Sequence, residues 1–323
     1  MLRTSVFITA AALALAAGRL AWLTVPASRA IRVRNAFLLR RGREEDFAWT
    51  PAAPPRDYRI ERRRPPEEIE RALDTAGVTQ LAGDWAKACA IVTMLVSHGR
   101  HERAIRADLA TTYRGIVDGG GYCADYVRVY LAAASAAGLF CRQWAFSFDG
   151  FGGHGHTFAE VFDRQRGDWS FLDVHNNIYA VLAGTDIPLS ALRLREALLE
   201  SPNAIEFRAA GPGRLGFRHF DKLLEYYRNG ASEWYLWWGN DVITRDAGWL
   251  PPAITTFLGP AIHRLRSAFG WLPPIVAFPT AENDHLIARM ERLRRRVMRA
   301  SMATGVLTVA LALVLVLRGV GLV

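Results

Sequence analysis

Gly121-Tyr122-Cys123-Ala124-Asp125-Tyr126 opens an alanine-rich stretch, and Gly155-His156-Thr157-Phe158-Ala159-Glu160-Val161 and Trp169-Ser170-Phe171-Leu172-Asp173 follow it in order. The glycines Gly119 and Gly120 before the first segment read as loop, so Cys123 stands at the start of a helix. That helix runs to about Ala137, carries the small residues Ala132, Ala133, Ala134, Ser135 and Ala136 that permit close packing, and stops at Gly138. Beyond it the period changes to two, and 141–148, 156–163, 168–174 and 178–182 read as strands. Upstream, acidic residues after a proline start a helix over 67–76, Thr79 is placed to cap an apolar helix over 81–96, and 102–116 reads as a third. Helices first and an antiparallel meander after them predict an α+β fold.

This order has chemical consequences. A thiol at the first turn of a helix meets unsatisfied N–H groups and the positive end of the helix dipole, which favour thiolate. Packing the helix on the sheet brings the start of the His156 strand beside it. Alternation puts Trp169, Phe171 and Asp173 on one face, so the aspartate lies among aromatic rings and needs a partner there, for which His156 is the nearest candidate. Cys, His and Asp in this arrangement suit a thiol nucleophile with its base and an orienting acid.

Over residues 81–182 the chain resembles the transglutaminase-like superfamily, which shares the papain-type catalytic core. The likeness is carried by the glycine-aromatic-cysteine start of the helix, the alanine-rich helix ending at Gly138, the His-x-x-x-Glu-Val segment at His156 to Val161 and the Trp-x-x-x-Asp segment at Trp169 to Asp173. It implies that Cys123 is the nucleophile, His156 the general acid/base and Asp173 the residue that orients the histidine. The family often has Ala-Trp after the histidine, where this chain has Thr157-Phe158. One oxyanion donor is the backbone N–H of Cys123 by position; a second is open among Trp85, Gln80 and Tyr113.

Other residues of the same types have plainer readings. Cys89 lies in an apolar helix and Cys141 in a strand, where a cysteine is a small buried apolar residue. His154-Gly155-His156 with His175 lacks accompanying carboxylates or cysteines at zinc spacing, so no metal and no organic cofactor is expected. Asp125 and Glu160 read as structural or solvated carboxylates.

The chain has 323 residues, 51% hydrophobic, enough for a substantial core. Its net charge of +9 is nearly all arginine, and the arginines crowd beside two apolar runs, which favours a membrane surface over nucleic acid as partner. The first run, 5–25, is broken only by Arg19; the second covers 302–317 and extends toward Val323. Two transmembrane anchors are expected, with a cleavable signal peptide ending near Ala27 to Ala30 as the alternative for the first. Arg29, Arg32, Arg34, Arg40, Arg41 and Arg43 follow the first run, and Arg289, Arg292, Arg294, Arg295, Arg296 and Arg299 precede the second. By the positive-inside rule the central domain faces the cytoplasm and both chain ends lie outside. Three cysteines without a disulfide framework fit a reducing compartment.

The expected division is an N-terminal transmembrane segment or signal anchor (1–28), a basic, proline-rich spacer (29–66), a catalytic core (67–185), an aromatic-rich extension (186–285), a basic juxtamembrane helix (286–300) and a C-terminal transmembrane segment (301–323). Within the extension, 187–199 and 220–227 read as helices, and 233–241, with Trp234, Trp237 and Trp238, reads as core, membrane-interface belt or ligand platform. Trp249, Trp271 and the proline-broken 250–278 suggest a stretch lying on a membrane. The expected function is a membrane-anchored cysteine enzyme acting on an amide through a thioester, by hydrolysis or acyl transfer, on a protein, peptide or amide-bearing envelope substrate. The alternative is a non-catalytic membrane scaffold.

Overall fold

The computed structural model describes residues 2–24, 27–96, 103–105, 107–213, 216–217, 219–246 and 272–320. Its elements run α1 (Leu2–Thr24), α2 (Ala27–Leu38), β1 (Leu39–Arg41), α3 (Glu67–Thr75), α4 (Asp84–Val96), α5 (Leu109–Val117) and α6 (Cys123–Ala136). They continue with β2 (Cys141–Ser147), β3 (Gly155–Asp163), β4 (Asp168–Leu172), β5 (Ile178–Leu182), α7 (Ala191–Glu200), β6 (Ile205–Ala209) and α8 (Leu223–Asn229). The last are β7 (Trp234–Trp237), α9 (Val242–Asp246), β8 (Ile275–Ala277) and α10 (Asp284–Gly319). The fold is therefore mixed α+β, with a six-stranded sheet in the order β1-β8-β7-β2-β3-β4 and a two-stranded sheet of β5 and β6.

The meander β2-β3-β4 is antiparallel as its alternation requires, with Phe146 opposite His156 and Glu160 opposite Phe171. One face of these strands (Cys141, Ala159, Val161, Leu172) packs on the helical core formed with α4 and α6. The other carries Trp144, Phe146, Phe158, Trp169 and Phe171 into an aromatic core with Leu194 of α7 and Tyr227 of α8. Two faces buried at once explain why the sheet can hold both a helical and an aromatic layer.

Several expectations are corrected. The 29–66 stretch is no free spacer: it supplies α2 and β1, buries Phe47, Trp49 and Tyr58 in the aromatic core, and pairs β1 with β8 in parallel, making the sheet mixed. The 186–285 region is no separate extension, because β7 and β8 extend the sheet that β2 to β4 begin. β5 joins β4 only through the Asp173–Ile178 bridge and pairs with β6 instead. Thr79 caps nothing; a short 3-10 turn holds it and α4 begins at Asp84, whose carboxylate takes Arg164. The third helix starts at Leu109, where Asp108 accepts the Thr111 N–H at 2.8 Å. Trp234, Tyr235 and Trp238 are buried, so the 233–241 cluster is sheet core. Trp249, Trp271 and 250–271 lie outside the described residues.

The expected juxtamembrane helix and second apolar run form one helix, α10, of 36 residues. It and α1 (Val6–Thr24) are long and apolar enough to cross a membrane, with mean hydropathies of 2.3 and 1.8 over their most apolar windows. The two helices pack against each other, and α2 packs on both.

Candidate active site

Cys123 is half-buried at the first position of α6. Gly121 before it has φ +105°, a conformation that disfavours any side chain, and an added Cβ would press on Tyr126. Asp125 fixes this entry by accepting the N–H groups of Tyr122 at 2.9 Å and Ile105 at 3.1 Å. Its role is structural, as the sequence suggests.

His156 enters from the second position of β3. Gly155 ahead of it lies so close to β2 that a Cβ would stand 1.9 Å from the Phe146 carbonyl oxygen. The preceding loop is also pinned. Phe151 adopts φ +62° while fully buried, the N–H groups of Gly150 and Phe151 donate to Glu233 at 2.9 and 3.0 Å, and Asn35 donates to the Phe151 carbonyl at 2.9 Å. Such a left-handed bulky residue persists only where surrounding contacts over-determine it.

His156 Nε2 lies 2.7 Å from Asp173 Oδ2, and both side chains are buried. Asp173 sits just past β4, where the turn to Ile178 closes with hydrogen bonds of 2.8 and 3.1 Å. Its carboxylate also accepts the Asn176 backbone N–H at 3.1 Å, the Asn176 side-chain amide at 2.6 Å and the Tyr227 hydroxyl. Burial pushes the Asp173 carboxyl up, but the charge of His156, its hydrogen bond and that of Tyr227 hold it below the ordinary aspartate range. For His156, burial pushes down, and the charge of Asp173 together with the hydrogen bond to it outweighs that, raising the imidazole well above its usual value. With Nε2 engaged by Asp173, Nδ1 is the ring nitrogen left for chemistry.

His156 and Asp173 lie on the aromatic face of the sheet, whereas α6 packs on the other. Cys123, at the start of α6, lies within electrostatic reach of His156, Tyr226 and Tyr235. Tyr126 in the first turn of α6 stacks edge-on with His175 at 5.3 Å, and His175 lies 6.2 Å from His156. Tyr226 closes the opposite side, its ring 5.8 Å from His156, 5.3 Å from Phe148 and 5.1 Å from Phe217.

Tyr226, Tyr227 and Asn176 went unread in the sequence. Asn176 follows Asp173 by three residues and donates its backbone N–H to that carboxylate, a local contact within reach of the sequence. The tyrosines belong to a helix fifty residues on, with no motif to tie them here. Of the three side chains considered as oxyanion donors, Trp85 packs edge-on against Tyr179 at 5.3 Å and Tyr113 packs on the helical core, while Gln80 is exposed. Glu160 is fully buried away from the cleft and takes Arg142. Burial pushes the Cys89 thiol up to about 12 and that of Cys141 higher, so neither is a nucleophile near neutrality. Among the described residues no group of three or more His, Cys, Asp or Glu is arranged to hold a metal ion. Comparisons of the chain with protein families, with curated proteins and with solved structures return no match.

Proposed function

We propose that this chain is a membrane-anchored cysteine enzyme with a transglutaminase-like, papain-type core, acting on an amide through a thioester. The observation that carries the reading is the buried His156–Asp173 pair, fixed by Tyr227 and Asn176, with a half-buried cysteine at a helix start within electrostatic reach of the imidazole. A catalytic imidazole needs orientation by a third group, and this one has it. The Cys123 sulfur attacks the amide carbonyl carbon, and the imidazolium Nδ1–H passes its proton to the nitrogen as the C–N bond breaks and the amine leaves. The neutral imidazole then takes a proton from water or an acceptor amine, which attacks the thioester and releases the sulfur. The Cys123 backbone N–H and the Tyr226 hydroxyl are the candidate donors to the developing oxyanion; burial raises the Tyr226 phenol, which keeps its proton at neutral pH.

Because the His156 value is raised, the imidazolium persists as the pH climbs through neutrality, with the Cys123 sulfur within its electrostatic reach. Alkylation by an iodoacetamide probe is therefore expected at Cys123 in preference to Cys89 and Cys141, whose thiols burial pushes up. His156→Ala is expected to remove that preference. Slow labelling of all three cysteines alike, unaffected by His156→Ala, would favour the scaffold reading.

Membrane anchoring is supported by the apolar side chains that α1 and α10 present outward, among them Phe7, Ile8, Val306 and Leu313, each more than half exposed. With the arginines on the inner-chain side of both helices, alkaline phosphatase fused after Val323 is expected to be active outside the cell, and the same reporter fused after Pro66 inactive. The reverse pattern with cleavage near Ala30 would indicate a signal peptide and an exported domain.

A further inference from the structure

Arg19 is the only charge in the apolar part of α1, and a guanidinium inside a membrane helix faces water, a partner or a headgroup. Here it opens onto a cavity of about 570 Å³ between α1 and α10, into which Arg296 and Arg299 also project. Among the described residues no carboxylate lines this cavity; its remaining walls are apolar, Leu15, Ala300 and Ala303 among them. Arg295 of α10, by contrast, lies outside the lining of this cavity and has Glu291 at 3.7 Å. Like charges sharing one cavity repel unless an anion joins them. The depth is that of a bilayer interface: Trp22, one turn along α1, is 64% exposed and carries the Arg29 guanidinium 4.1 Å over its ring, while exposed Met302 and Val306 begin the apolar side of α10. Aromatic and cationic side chains gather at that level.

We propose that the Arg19–Arg296–Arg299 cavity binds the headgroup of an anionic phospholipid, tying α1 to α10. The guanidinium forks would grip phosphate oxygens, and the acyl chains would run down the apolar flank of the helix pair. This rests on the membrane reading above, not on the enzymatic one.

The test is native mass spectrometry of the full chain, purified in detergent and titrated with phosphatidylglycerol or phosphatidylcholine. Phosphatidylglycerol adducts are expected on the wild type, weakened about tenfold or more in Arg19→Gln/Arg296→Gln/Arg299→Gln and unchanged in the exposed-loop control Arg62→Gln/Arg63→Gln/Arg64→Gln. Should the triple variant not fold, Arg19→Gln alone reports the same loss at smaller size. Equal binding of phosphatidylcholine, displacement of the lipid by matched inorganic phosphate, equal loss in the loop control, or undiminished binding in the cavity variant would each overturn the proposal. So would an intact mass lacking α1. Carbonate extraction separates the premises: release into the soluble fraction sinks the anchoring itself, whereas retention with undiminished lipid binding sinks the site alone.

Discussion

Cys123→Ala is expected to abolish the nitrophenolate burst that p-nitrophenyl acetate should give with the wild-type protein, a loss of roughly 10³-fold or more in acylation rate. An activated ester needs only a nucleophile and an oxyanion site, so the experiment does not wait on the natural substrate. The fold should survive. Cys123 is half-buried, and removing its sulfur should cost less than about 1 kcal/mol. Cys89 and Cys141 provide internal controls, since burial pushes both thiols up. Asp173→Asn is expected to slow the burst by roughly 10² to 10⁴-fold without abolishing it, because an amide there no longer stabilises the imidazolium. A full burst from Cys123→Ala would show that another group is acylated and remove Cys123 from the chemistry.

The parts of the fold legible in the sequence were those with a strong local period. The α6 helix has a glycine loop before it and Gly138 after it, and β2 to β4 alternate cleanly because each strand faces two different layers. His156 and Asp173 were legible for the same reason: a charged residue at a fixed parity among aromatics demands a partner on that face. What could not be read depends on distant pairing. Phe47, Trp49 and Tyr58 sit in proline-rich sequence with no period, and their ring partners are Trp144, Trp169 and Trp238, about a hundred residues or more away. The strands β1 and β8 have three residues each, too few to carry alternation. β7 fails differently. Trp234, Tyr235 and Leu236 are buried on both faces of the sheet, so the segment reads as an undivided aromatic run rather than as a strand.

The same distant pairing explains why the site holds its shape. Tyr227 reaches Asp173 from α8, Glu233 fixes the loop before His156 from the turn into β7, and Asn35 grips Phe151 from α2. The thiol and the imidazole come from the locally legible half of the chain. Their orientation comes from the half that is not, so a fragment covering 81–182 alone would carry the three residues without the contacts that position them.

Glu160→Ala is expected to be the most destabilising single change in the sheet, by about 3–5 kcal/mol. Four residues after His156 on the same strand face, Glu160 is fully buried and receives the Arg142 Nε at 2.6 Å, the Trp144 indole N–H at 2.7 Å and the Ala191 backbone N–H, at the start of α7, at 2.7 Å. Arg142 is equally buried; its guanidinium lies 4.0 Å from the Trp169 ring centroid, 5.1 Å from Trp49 and 5.6 Å from Trp144, and donates to the Phe47 carbonyl at 2.9 Å. Removing the carboxylate would leave a cation enclosed by tryptophans with no counter-charge, which costs far more than the pair itself contributes. The companion variant decides whether this is the mechanism. Arg142→Met together with Glu160→Gln removes both charges, keeps one amide oxygen to accept from either the Trp144 indole N–H or the Ala191 N–H, and should recover part of the loss, whereas a purely steric defect would make the double variant as unstable as the single one. Chemical denaturation of the three proteins reads the difference directly. Since native domains are stable by only about 5–15 kcal/mol, the single variant should lose a large share of its folded margin, and Cys123 labelling should fade with it as β3 loosens its hold on His156.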